Sequence, residues 1–220
     1  APALHACQRV ARTCLAAQAE HSSLATRLLC ADQRGEAPAI GRQLKEPVDL
    51  GPRDAQGRTQ LMRATLGNHL EAARVLIEAG ADVNAKDARQ DSPYLYAGAS
   101  GLNEILRLTL AHGADLTSTN RYGGTALIPA AERGHVQTVQ LLIQAGVDVN
   151  HLNRLHWTAL LEAVILGDGG PRHVQIVRAL LEAGADPAIA DKEGVTALEH
   201  AKARGFSEMA ALLEGDMGRR

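Results

Sequence analysis

The side chains with the most evident reactivity in this 220-residue chain are three cysteines and nine histidines. Cys7, Cys14 and Cys30 all fall within the first 30 residues. A redox-responsive or thiol-based protein would need one of them accessible and readily ionised, and an odd number leaves one sulfur unpaired if any bridge forms. A Cys14–Cys30 or Cys7–Cys30 disulfide in an oxidising compartment competes with the plainer reading, three reduced thiols partly buried as small hydrophobes. Metal binding fails on spacing. Cys7, Cys14 and His21 recur every seven residues, which on a helix sets successive side chains about 10 Å apart, too far to share one ion at bond lengths of about 2 Å.

The glycine-rich stretch GDGGPRH, 167–173, has the composition of a loop that offers backbone N–H groups to a phosphate at a helix start. It has neither the lysine of a phosphate-binding loop nor a preceding strand, and reads as a plain connection. The pattern contains no activated-serine elbow, no zinc-protease histidine pair and no paired carboxylates on a common face. Cys30 and His156, standing alone, read as structural. The expectation is a protein that is not an enzyme, with no cofactor and no metal.

The elements that would carry these residues are arranged by repetition. Asp54, Asp87, Asn120 and Asn153 restart one pattern at a spacing of 33, and Asp191 restarts it after 38. Thr59, Ser92, Thr125, Thr158 and Thr196 share one offset, Ala64, Ala97, Ala130, Ala163 and Ala201 another, and Gly80, Gly113, Gly146 and Gly184 a third. A fixed period of this length means stacked structural repeats. Within one unit, Thr59 caps a short helix bearing Leu61, Ala64 and Leu66, because its hydroxyl can accept from the first turn's orphan N–H groups. Gly67 and Asn68 break that helix. Leu70, Ala73, Val75, Leu76 and Ile77 form a second apolar face at helical spacing, Gly80 ends it in a left-handed conformation, and ADVNAKDARQ reads as a polar finger. Two helices cannot bury their own apolar face, so stability comes from neighbour on neighbour.

The phrases RTQLMRA, GTALIPA, WTALLEA and VTALEHA, with EAGADVN, HGADL, QAGVDVN and EAGADP, resemble the ankyrin repeat over about three quarters of the chain. DSPYLYAGA, NRYGGTALIPA and TALLEAVILGDGG look like bacterial members of that family. The resemblance implies an all-α solenoid of stacked helix-turn-helix units with β-hairpin-like finger loops. It also implies non-catalytic binding of a partner protein through a concave groove. The units read as an N-terminal capping helix and degenerate first repeat (1–53), repeats at 54–86, 87–119 and 120–152, a repeat with a five-residue insertion (153–190), and a C-terminal capping repeat and tail (191–220). In detail, residues 3–19 form an amphipathic helix. The degenerate repeat is weakest where Pro38 and Gly41 fall. Gly169, Gly170 and Pro171 fix the insertion as a loop, and the last second helix is shortened to 207–214. Gln90 and His156 stand where a finger glycine belongs, and His156 is expected to distort its finger. The histidine that follows TPL in the family is replaced throughout, by Met62, Leu95, Ile128, Leu161 and Glu199.

Carrying the groove offsets over implies partner contacts at Arg89, Arg121, Tyr122, Arg154, Leu155 and Trp157 on the fingers and Glu132, Arg133, Ile165 and Leu166 on the first helices. Arg121 and Arg154, with Lys192, form a positive row suited to an acidic partner patch. Tyr122 and Trp157 serve as anchors, and Leu155, Trp157, Ile165 and Leu166 form an apolar cluster, unless the insertion folds over and buries them. His69, His135 and His173 share one offset and read as structural.

Net charge is −2 and aromatics are 2% of residues, so neither nucleic acid nor a membrane surface is favoured as partner. No run of about 18 apolar residues exists for membrane insertion, and the chain is expected to be a monomer. Ala1 in place of methionine fits a cytoplasmic protein or, if a signal peptide was cleaved, a periplasmic one.

Overall fold

A computed structural model describes residues 52–218 of the chain. The expected capping helix at 3–19, the degenerate first repeat and the three cysteines lie outside these residues. Within them the fold is all-helical. Ten helices follow in order: α1 (Gln60–Leu66), α2 (Leu70–Glu78), α3 (Pro93–Ser100), α4 (Asn103–Ala111), α5 (Leu127–Glu132), α6 (Val136–Ala145), α7 (Ala159–Ile165), α8 (Pro171–Glu182), α9 (Ala197–Ala203) and α10 (Ser207–Met217). Odd helices pack in one row, α1 on α3 on α5 on α7 on α9, and even helices in a second row behind it.

The helix starts follow from the repeated hydroxyls. Thr59, Ser92, Thr158 and Thr196 each accept from the backbone N–H three residues on, and each such cap is worth about 1 kcal/mol. Thr196 goes further and forms a capping box with Glu199. Thr125 is the exception: α5 starts two residues later behind Ala126, and the Thr125 hydroxyl is buried without a partner among the described residues.

The core is a single strip of small and branched side chains running through every unit. Ala64, Ala97, Ala130, Ala163 and Ala201 are all fully buried, which is what lets successive odd helices approach. At Gly98 a Cβ would lie 2.8 Å from that of Ala126, so the two helices are in tight contact there. Tyr94 is fully buried too, and its hydroxyl has no partner among the described residues, a cost that burial of the ring must offset.

Fingers repeat one geometry. In the second described unit the N–H of Asp87 donates to the carbonyl of Asp91 and that of Gln90 to the carbonyl of Asp87, while Ala88 N–H reaches back to the Gln56 carbonyl of the preceding finger. The fourth unit does the same with Asn153, Trp157, His156, Arg154 and Tyr122. His156 therefore does not distort its finger. It takes the left-handed conformation itself, at φ 64°, as Gln90 does at 65°, because the ladder to the neighbouring finger fixes the backbone. Between units, Asn84 Nδ2 donates to the Gly113 carbonyl at 2.9 Å and its Oδ1 accepts from Asp115 N–H at 2.8 Å. Asn150 repeats this link toward Gly184 and Asp186.

Two helix boundaries differ from expectation. Pro171 does not hold a loop but occupies the first turn of α8, where its missing N–H costs nothing, so part of the insertion lengthens a helix. The final helix α10 is not shortened: it continues through Glu214 to Met217.

Removing the Thr158 cap (Thr158→Ala) should lower the unfolding free energy by about 1 kcal/mol. His156→Gly should raise it by roughly 0.5 kcal/mol, through relief of the left-handed backbone. Urea unfolding of both variants checks the opposite signs.

Candidate concave binding site

Along the front of the odd-helix row the fingers and helices enclose a cavity of about 360 Å³. Its floor comes from the first helices. Met62 and Leu66 of α1, Tyr96 of α3, and Ile128 and Pro129 of α5 supply apolar walls, and Glu162 of α7 closes one end. The fingers supply the rim, through Arg58, Arg89, Asp91, Arg121, Tyr122 and Leu155.

Six of the ten expected contact residues line this cavity: Arg89, Arg121, Tyr122, Glu132, Arg133 and Leu155. Arg154, Trp157, Ile165 and Leu166 do not. Tyr122 and Leu155 are 56% and 52% exposed, an apolar pair at the rim. Trp157 and Ile165 instead lie half-buried against the core, so the apolar cluster read from the sequence is divided. The insertion covers neither Leu155 nor the exposed Leu166. Its Gly169 sits against the Phe206 ring, where no Cβ would fit, and Asp168 and the Glu132 carbonyl bind the two ring nitrogens of His173 at 2.8 Å each.

The positive row is also more internally committed than its spacing suggests. Arg121 stacks on the Tyr122 ring at 4.6 Å, donates to the Tyr122 hydroxyl at 3.0 Å and lies 4.0 Å from Asp91. Arg154 donates to the Arg121 carbonyl, and Arg133 to that of Ala99, both at 2.7 Å. Guanidinium groups so held are fixed in position with donors to spare.

What the sequence reading missed is acidic. Glu162 is 6% exposed, and its Oε1 accepts from Asn153 Nδ2 at 2.7 Å. Desolvation, together with the charge of Glu132 on the neighbouring helix, pushes its carboxyl up to about 7. The two carboxylates lie on successive first helices and line the same cavity. Asp91 is likewise raised, by burial first and then by Asp87. A signal for Glu162 did exist. It follows Asn153 by nine residues, and at the same offset Arg63 follows Asp54, 3.8 Å away, and His200 follows Asp191, 2.7 Å away. A base answers Asp54 and Asp191, Tyr96 stands at that offset from Asp87 and Pro129 from Asn120, and an acid answers Asn153.

The period, the capped helix pairs and the finger ladder are matched by a family model described as ankyrin repeats, in three copies, over residues 5–87 and 94–191. This chain belongs to the ankyrin-repeat family. A solved ankyrin repeat domain from Acinetobacter baumannii AYE is 59% identical, with a TM-score of 0.80 over 86% of this chain and 97% of that one. A second solved ankyrin repeat protein, EF0377, is 42% identical, with a TM-score of 0.78 over 85% and 96%. The protein YahD of Escherichia coli (strain K12) is 54% identical over 52 residues, which span 24% of this chain and about a quarter (26%) of YahD. Ankyrin repeats are in general protein-interaction modules rather than enzymes. No helix among the described residues is long and apolar enough to cross a membrane.

The raised Glu162 carboxyl has a thermodynamic consequence. The folded state holds this proton more tightly than the unfolded chain, whose carboxyl titrates near 4.5, so its effect on stability is nil below about pH 4.5 and becomes unfavourable as pH rises to about 7. Glu162→Gln should therefore be more stable than wild type at pH 8, by a margin of order 2 kcal/mol larger than at pH 4.5. Chemical denaturation of both proteins at the two pH values checks this.

Proposed function

We propose that this protein is a non-catalytic binding module whose concave groove holds a partner protein, centred on the second, third and fourth described fingers. The observation that carries the reading is the exposed pair Tyr122 and Leu155 at the mouth of the cavity, flanked by arginines whose backbones and guanidinium groups are already fixed. An aromatic and an aliphatic side chain beside ordered arginines form the centre of a protein interface, and preorganisation lowers the entropy lost on binding. Arg89, Arg121 and Arg133, with Arg154 just beyond the cavity, steer an acidic patch of the partner toward this centre. Of the anchors read from the sequence, Tyr122 keeps that role. Trp157, half-buried behind the finger, acts by holding the finger in place, and Ile165 and Leu166 mark the edge of the contact.

Affinity capture from host extract, followed by binding assays on the purified partner, tests this reading. Tyr122→Ala with Leu155→Ala should weaken affinity at least tenfold while leaving the unfolding free energy within about 0.5 kcal/mol of wild type. Trp157→Ala should instead lose stability. A partner whose affinity is unmoved by the double variant binds elsewhere.

A further inference from the structure

The charges around the cavity do not cancel in place. On the elements packed against α7, most cations and acids are spoken for: Arg204 of α9 donates to the carbonyls of Val164 and Ile165, His200 binds Asp191, and Glu199 caps Thr196. From α8, His173 is held between Asp168 and the Glu132 carbonyl. On the fingers, Arg58 pairs with Asp54 and Arg121 with Asp91, and at the end of α5 Arg133 is bound to the Ala99 carbonyl. Of the acids that line the cavity, Asp87, Glu132 and Glu162 have no ion pair among the described residues; Asp87 accepts from the backbone N–H groups of Arg89 and Asp91, and the charge of Glu132 bears on Glu162. Glu162 is more than nine-tenths buried, lines the cavity, and makes no hydrogen bond through Oε2 among these residues.

A buried carboxylate without a countercharge, beside a second carboxylate that is half-buried, is costly. The ligand that would relieve it is a cation carried on an apolar stem, because Leu155, Ile128 and Pro129 line the same cavity as the acids and a long basic side chain lays its methylenes on such walls while its head reaches the acids. We propose that the cavity is a specificity pocket for one lysine or arginine side chain of the partner, its ammonium or guanidinium group bonded to Glu162 Oε2 and to Glu132. The arginines of the rim then meet acidic residues on either side of that basic one, so the preferred segment is acidic with a single basic residue at its centre. This deepens the groove-binding function proposed above and rests on it. It also replaces a uniformly acidic partner patch with an alternating one. Binding such a cation favours the ionised carboxylate, and because the free carboxyl titrates near 7, affinity should rise about tenfold between pH 6 and pH 8.

A phage-displayed peptide library selected at pH 8 against the full chain and against Glu162→Gln, which keeps an oxygen for Asn153, tests the proposal. The wild type should enrich peptides with lysine or arginine at one position flanked by aspartate or glutamate, and the variant should lose the preference at that position alone. For one selected peptide, replacing its basic residue by norleucine should cost at least tenfold in affinity for the wild type and less than twofold for Glu162→Gln. The tenfold gain from pH 6 to pH 8 should likewise vanish in the variant. Enriched peptides lacking a basic residue, or a basic preference that survives in Glu162→Gln, would overturn the pocket and leave groove binding intact. Failure of the wild type to enrich any peptide displaced by Tyr122→Ala with Leu155→Ala would overturn both.

Discussion

Everything in this molecule depends on the contact between one helix pair and the next. A pair such as α1 and α2 has an apolar face but nothing of its own to bury it against, so Leu61, Ala64, Leu76 and their counterparts become core only when a neighbour arrives. The row of fully buried alanines sets how near that neighbour comes, and Gly98 against Ala126 shows the limit. Close approach of the odd helices brings the fingers into register, and the finger-to-finger bonds from Ala88 to Gln56 and from Arg154 to Tyr122 are the result.

The same constraint shapes the groove. Because each first helix is short and its neighbours lie directly above and below, the last residue of α5, Glu132, and a mid-helix residue of α7, Glu162, come within electrostatic reach although 30 residues separate them. Burial then does what exposure could not. On a solvated helix two such carboxylates would both be ionised and nearly indifferent, whereas here desolvation pushes Glu162 up into the physiological range. The arginines differ in that Arg58, Arg121, Arg133 and Arg154 are each fixed by a carbonyl, a ring or an aspartate, so most of the rim is ordered before any partner arrives.

Much of the fold was legible because repetition writes each feature several times. One hydroxyl residue at a helix start is weak; four that accept from the third residue on are not. Where reading failed, a tertiary contact had overruled a local preference. Proline at 171 resembled a loop residue until the insertion's packing against Phe206 placed it in a first helical turn, and Gly215 and Asp216 resembled a tail although α10 runs through both. His156 was expected to spoil its finger, but the ladder to the preceding finger holds it in the left-handed conformation a glycine would take. The site was half legible. Offsets located Arg121, Tyr122 and Leu155 on the rim, but could not tell that Trp157 leans back onto the core.

The sequence by itself determined the repeat, the order of helices and fingers, the faces that must be buried, and hence the family. Those are local or periodic properties, and a period of 33 residues is visible without coordinates. Only the tertiary structure decided which polar groups meet, which arginines are already occupied and which carboxylate is desolvated. Such facts depend on distances between units, and a charge acquires its chemistry from the dielectric and the partners around it, neither of which is written at its own position in the chain.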